Sequence, residues 1–238
     1  MRLWTLVPAA VALLALPACG GDEAEPRLQP GAVRIGVLVP AMRSGGADEL
    51  LASGAQVAAA ELNNGGGIDG VARVELVTER PPGTHAYAEA TRLLLGRDVS
   101  AILVPCGEIA EVASVARSRA VLLAPCARRS DVLPPFVFAT GLPIDDSAVD
   151  GKPTAGGKLD EFYERFKALY GRRPPSSIPA LGYDAVKVFA VATQEAGSRR
   201  PAAIEQQLRE GLEAGGAFGR IRFEQGNRRP EVSLLHVS

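Results

Sequence analysis

Residues 33–70, VRIGVLVPAMRSGGADELLASGAQVAAAELNNGGGIDG, decide the fold. Val33 to Val39 is an apolar, β-branched run that stops at Pro40, the pattern of a buried strand. A polar, glycine-containing loop follows, Ala41 to Gly46. Leu51, Ala55, Ala58, Ala59 and Leu62 then recur at helical spacing and mark one buried face. Asn63-Asn64-Gly65-Gly66-Gly67 ends that helix, because glycine accepts the left-handed stop conformation.

The same unit recurs downstream. Val71 to Thr78 predicts a second strand. Thr84 can cap a helix from His85 to about Leu95 that buries Ala90, Leu93 and Leu94. Ala101 to Val104 predicts a third strand, ending at Pro105-Cys106-Gly107, and Ile109, Val112, Ala113 and Ala116 mark the next helix. Val121 to Ala124 predicts a fourth strand, ending at Pro125-Cys126, and Phe136 to Ala139 a fifth. Alternating strands and helices imply an α/β fold, a doubly wound parallel sheet with flanking helices. Ligands of such sheets bind outside the carboxyl ends of the strands. Those ends are the loops Pro40 to Gly46, Pro105 to Glu108 and Pro125 to Arg129.

Asp150 to Gly157 is linker-like. Three helices are expected after it. The first buries Leu159, Phe162, Phe166 and Leu169; the second starts near Leu181 and buries Ala185, Val188, Phe189 and Ala192. The third carries Ile204, Leu208 and Leu212. Gly219 to Phe223 and Val232 to Val237 predict a short C-terminal strand pair around Gln225-Gly226-Asn227.

The opening, MRLWTLVPAAVALLALPAC, sets the address. Arg2 precedes an uncharged apolar stretch, Leu3 to Ala18, too short for a spanning helix of ~20 residues. Small or apolar residues then lead into Cys19, the pattern of a signal peptide whose cysteine is acylated. The expected organisation is a signal peptide over 1–18, lipid attachment at Cys19, a flexible tether over 19–31, and one lobe over 32–238. That lobe divides into a first segment, 32–150, and a returning segment, 158–238. The expected location is the cell envelope, exported and held at the membrane by lipid, on the periplasmic side in a Gram-negative host.

The formal net charge of −1 offers no electrostatic case for nucleic acid. Beyond Cys19 the chain has Cys106 and Cys126, and its two histidines are His85 and His236. Their spacing fits no metal site, and no cofactor is implied. Cys106 and Cys126 fall at equivalent ends of neighbouring strands, as a disulfide worth ~3 kcal/mol or as two buried thiols. Ser44, Ser53 and Ser114 lack a Gly-x-Ser-x-Gly elbow, and Asp145-Asp146 reads as solvated loop charge, so no enzyme is expected.

Three stretches in order carry a family resemblance. They are Ile35 to Gly70 within the opening quotation, FYERFKALYGRRPPSSIPALGYDAVKVFAVATQEAG over 162–197, and FGRIRFEQGNRRPEVSLLHV over 218–237. Together they resemble the type I periplasmic solute-binding proteins of the leucine/isoleucine/valine branch, which serve ABC transporters. The resemblance runs to about Gly151 and resumes at about Leu159, so most of that family's second lobe is missing. It implies an amino-acid ligand held partly by a serine after the third strand and an Ala-Thr pair after the fourth. The matching positions here are Gly107 with Glu108 and Ala127 with Arg128, without either hydroxyl. Glu108 can pair with an ammonium, and Arg128 or Arg129 with a carboxylate. With Met42 and Ser44 on the first loop, Gly107, Glu108, Ala127 and Arg128 are the candidate ligand contacts. The resemblance implies a substrate-binding lipoprotein of an ABC-type uptake system, for an amino acid or related small solute, with an ABC permease as partner. The alternative is a single-lobe envelope lipoprotein that acts on another envelope protein and has no transport ligand.

Overall fold

A computed structural model describes residues 28–41, 46–83, 86–141 and 158–233. Cys19, Met42, Ser44, Thr84, His85, Asp145, Asp146, His236 and the Asp150 to Gly157 linker lie outside the described residues.

Five parallel strands form the central sheet: β1 (Gly31–Leu38), β2 (Ala72–Glu79), β3 (Ala101–Leu103), β4 (Val121–Ala124) and β5 (Val137–Ala139). Their order is β2-β1-β3-β4-β5. Side chains alternate between two faces with period two; both faces of the inner strands are covered, so these read as nearly continuous apolar runs, while the edge strand β2 alternates. Val33, Ile35, Val37, Ala101, Leu103, Val121, Leu123 and Phe138 enter one core. Leu38, Ile102, Leu122, Ala124, Val137 and Ala139 enter the other.

Helices α1 (Ala47–Asn64), α4 (Lys158–Tyr170), α5 (Ile178–Ala196) and α6 (Pro201–Glu210) supply the first core, and α2 (Tyr87–Gly96) with α3 (Ile109–Ala116) the second. α1 and α5 make the closest helix pair. A methyl group built on Gly54 would overlap the backbone carbonyl of Pro179, and one on Gly182 that of Leu51. Each glycine therefore lets the opposite backbone approach. At the end of α1, Gly66 and Gly67 take positive φ (99° and 94°). The Asn63 side chain donates to the Val74 carbonyl and accepts from the Val74 N–H at 2.9 and 2.8 Å, pinning the stop to β2.

Four expectations are corrected. Leu93 is 47% exposed, because α2 buries Tyr87, Ala90, Thr91, Leu94 and Leu95, a face that excludes it. Thr91 can be buried because its hydroxyl donates to the Tyr87 carbonyl at 2.6 Å. Leu169 is 49% exposed; α4 buries Leu159, Phe162, Tyr163 and Phe166, a face that excludes it. α5 begins at Ile178 rather than near Leu181, with Pro179 in its first turn, where its missing N–H costs nothing. Leu212 lies beyond α6 on β6 (Leu212–Gly215), which pairs with β7 (Arg220–Phe223) and then β8 (Glu231–Ser233). The C-terminal strand pair is thus extended to a three-stranded antiparallel sheet.

Leu28 is buried in the first core. Only residues 140–157 separate β5 from α4.

Candidate functional site

The chain runs from β1 outward to β2 and then crosses back to β3, with α1 on one face and α2 on the other. Strand order therefore reverses between β1 and β3, and their carboxyl ends frame the crevice where such sheets take ligands. A small cavity of about 210 Å³ lies there, lined by Pro40, Gly46, Ala47, Asp48, Glu49 and Cys106. Asp48, in the first turn of α1, accepts a hydrogen bond from the Cys106 N–H at 2.8 Å. One carboxylate so joins the start of α1 to the end of β3.

The next pair of strand ends is joined covalently. Cys106 and Cys126 form a disulfide with their Cα atoms 5.2 Å apart. This link holds Gly107 and Glu108 beside Ala127 and Arg128. A wider cavity of about 690 Å³ opens between α3 and the segment after β4, and Gly107, Cys126, Arg128 and Asp131 are among its lining residues. Its volume is in the range of small-molecule sites, ~300–1,000 Å³. The Arg128 N–H donates to the Asp131 carboxylate at 2.7 Å, and Arg229 donates to the Asp131 carbonyl at 2.8 Å. The C-terminal region thereby braces this loop.

Gly107 and Arg128 share the wider cavity, and Glu108 holds the N-cap position of α3 without a side-chain capping bond. Ala127 is 3% exposed in the core formed with α2 and α3, so its side chain braces the loop from below. Asp48, Glu49 and Asp131 were not singled out from the sequence. For Asp48 and Glu49 the available signal was position, in the first turn of a helix after a strand-end loop, where acids suit the helix dipole; Asp131 lies on a loop and carries no such signal.

Elsewhere, the charged and polar groups with shifted ionisation brace the scaffold. Burial pushes Asp184 up to about 7, against the pull of the Ala217 and Phe218 N–H groups that donate to it. It locks α5 to the loop between β6 and β7. Glu61 on α1 accepts from the Tyr183 hydroxyl at 2.6 Å and pairs with Lys187 at 3.1 Å and Arg165 at 3.2 Å. Partial burial raises its pKa, but these bonds and cations outweigh it and hold Glu61 below its ordinary value. Within Gly182-Tyr183-Asp184-Ala185, then, each residue has a packing role: helix contact, bond to Glu61, loop lock and buried methyl.

No family model matches the chain. No curated protein matches it either. Solved structures match its architecture. The substrate-binding protein LivJ from Streptococcus pneumoniae, in complex with isoleucine, aligns over 88% of this chain and 100% of that one, with a TM-score of 0.64 and 14% identity. An ABC transporter substrate-binding protein from Desulfitobacterium hafniense, in complex with Leu, aligns over 85% and 96%, with a TM-score of 0.68 and 17% identity. The fold is that of the type I periplasmic binding proteins. A solute-binding protein of an ABC transporter from Rhodopseudomonas palustris, in complex with 3,4-dihydroxy benzoic acid, has a TM-score of 0.65 and 11% identity over 84% of this chain and 91% of that one. These type I neighbours carry amino acids and an aromatic acid. At such identities the likeness speaks for the fold and leaves the ligand of this chain to its own residues.

Proposed function

We propose that this chain is a lipid-anchored substrate-binding protein of an ABC-type uptake system. Its solute would be an amino acid or a related small carboxylate, taken at the carboxyl ends of β1, β3 and β4 and passed to an ABC permease. The supporting observation is the disulfide-joined edge, which sets Glu108 and Arg128 on adjacent loops beside a cavity of ligand size. An ammonium and a carboxylate are the groups those side chains bind through charge-assisted hydrogen bonds. Met42 and Ser44 belong to the same proposal through the first loop, and Cys19 as the acylated residue.

One lobe supplies about half the contacts of a closed cleft. If a micromolar site near −8 kcal/mol keeps half of that, binding falls to ~−4 kcal/mol, or millimolar. Titration calorimetry of the protein against a panel of amino acids and aromatic acids must therefore reach millimolar solute. Saturable heat with one class is expected; no heat with any member removes the transport reading. A second reading, an envelope lipoprotein that binds another protein through this edge, is favoured by Val132, 91% exposed on the rim of the wider cavity. Pull-down from membranes that recovers a partner, with no heat in the titration, would select it.

A further inference from the structure

The opposite end of the sheet is basic. There the amino ends of β1, β3 and β4 meet the junction of α5 and α6 around an open groove of about 700 Å³. Arg34, Arg119, Arg199 and Arg200 line it, with Asp98 as the one carboxylate among its lining residues. Arg34 is paired with Glu75 at 3.2 Å. Arg199 donates to the backbone carbonyls of Gln29 and Pro30 at 2.9 and 2.6 Å. Arg119 and Arg200 are exposed, and neither guanidinium has a partner among the described residues.

The same end is where the described chain begins. Leu28 is buried there, and Gln29 and Pro30 pass beneath the Arg199 guanidinium. Even fully extended, the chain from Cys19 to Leu28 spans roughly 30 Å. β1 carries the backbone a further ~26 Å to the carboxyl-end loops. An acylated Cys19 thus holds the basic end, where Leu28 is buried, within roughly 30 Å of the bilayer.

We propose that the groove lined by Arg119, Arg199 and Arg200 docks on anionic phospholipid headgroups and turns the carboxyl-end loops away from the membrane. The proposal rests on the lipoprotein reading above. The guanidinium fork matches phosphate oxygens in charge and geometry. Each exposed arginine near an anionic surface favours the docked state about fivefold. The attraction fades over ~8 Å at physiological salt, so docking is reversible. It leaves the solute site open to the envelope, and delivery to a permease in the same membrane requires the lobe to lift off.

The test uses the mature protein purified from membranes, its mass reading the state of Cys19. It is placed in vesicles of phosphatidylcholine alone, or of phosphatidylcholine with phosphatidylglycerol, and backbone hydrogen exchange is followed. Amides at 117–119 and at 199, 200 and 202 are expected to exchange at least about fivefold more slowly on the anionic vesicles. Amides at 126–131 are expected to be unchanged. The protection is expected to vanish in high salt and in an Arg119→Glu, Arg200→Glu variant, while the acylated protein still floats with the vesicles. The milder Arg119→Gln, Arg200→Gln pair is expected to lose part of it. Equal exchange on both vesicle types overturns the proposal. Protection that persists away from vesicles also overturns it, and assigns the groove to the acidic Asp22-Glu23-Ala24-Glu25 segment of the chain itself. A mass without acyl groups overturns the lipoprotein reading and the docking together, and the mass alone tells that failure from the others.

Discussion

The α1–α5 face and the carboxyl-end edge are held by different means. On the face, two glycines set the helix approach, Glu61 gathers Tyr183, Lys187 and Arg165, and Asp184 ties α5 to the β6–β7 loop. Each contact joins elements distant in sequence. At the edge, one disulfide and the Asp48 bond to Cys106 hold the loops, and charged side chains surround the cavities. The difference separates scaffold from candidate site: the face is expected to tolerate little change, whereas the edge is expected to vary its charges without losing the fold.

Substitutions that attack the face should therefore cost more than those of charged side chains at the edge, where the disulfide is the one costly link to lose. Gly182→Val places a branched side chain against the Leu51 backbone and is expected to lower stability by more than ~3 kcal/mol, read by chemical denaturation. Asp184 gives the next effect, through pH. Its folded pKa of about 7 lies above an unfolded value of ~4, so across that window the folded chain binds more protons. Stability is expected to fall as pH rises from ~4 to ~7 and then level off. Asp184→Asn should flatten that slope in denaturation curves taken across the range.

The edge is tested by a paired Cys106→Ser, Cys126→Ser variant, expected to lose ~3 kcal/mol. Mass spectrometry of non-reduced peptides reads the bond itself, and free thiols at both positions would contradict it. Tyr183→Phe removes one bond to a charged group and should cost ~2 kcal/mol. Glu61, held below its ordinary pKa, stabilises the fold above the unfolded value, and this is lost as pH falls through the folded one. In Tyr183→Phe that acid loss should be smaller and should end at higher pH. Arg128→Ala is expected to change stability least, within ~0.5 kcal/mol.

Much of the scaffold was legible because burial on both faces writes strands as continuous apolar runs. Ile35 to Val39 and Val121 to Ala124 could be read without knowing their neighbours. Leu93, Leu169 and Leu212 were misplaced because helical spacing alone does not say which arc meets the sheet or where the helix stops. The role of Asp184 was not legible, since its partners at 217 and 218 come together with it only in the fold. At the edge, Cys106 and Cys126 could be set side by side from strand order alone, as could the loops bearing Glu108 and Arg128. Asp48 and Asp131 were not, because an acid in a loop or first turn looks solvated until its N–H partner is seen.

The division between scaffold and site is tested most directly by titration calorimetry on three proteins: the parent, a Glu108→Ala, Arg128→Ala variant and Tyr183→Phe. The edge variant is expected to lose the saturable heat of the solute at an unchanged melting temperature. Tyr183→Phe is expected to keep the solute affinity while melting earlier. Solute binding that survives the edge variant but fails in Tyr183→Phe would contradict the account.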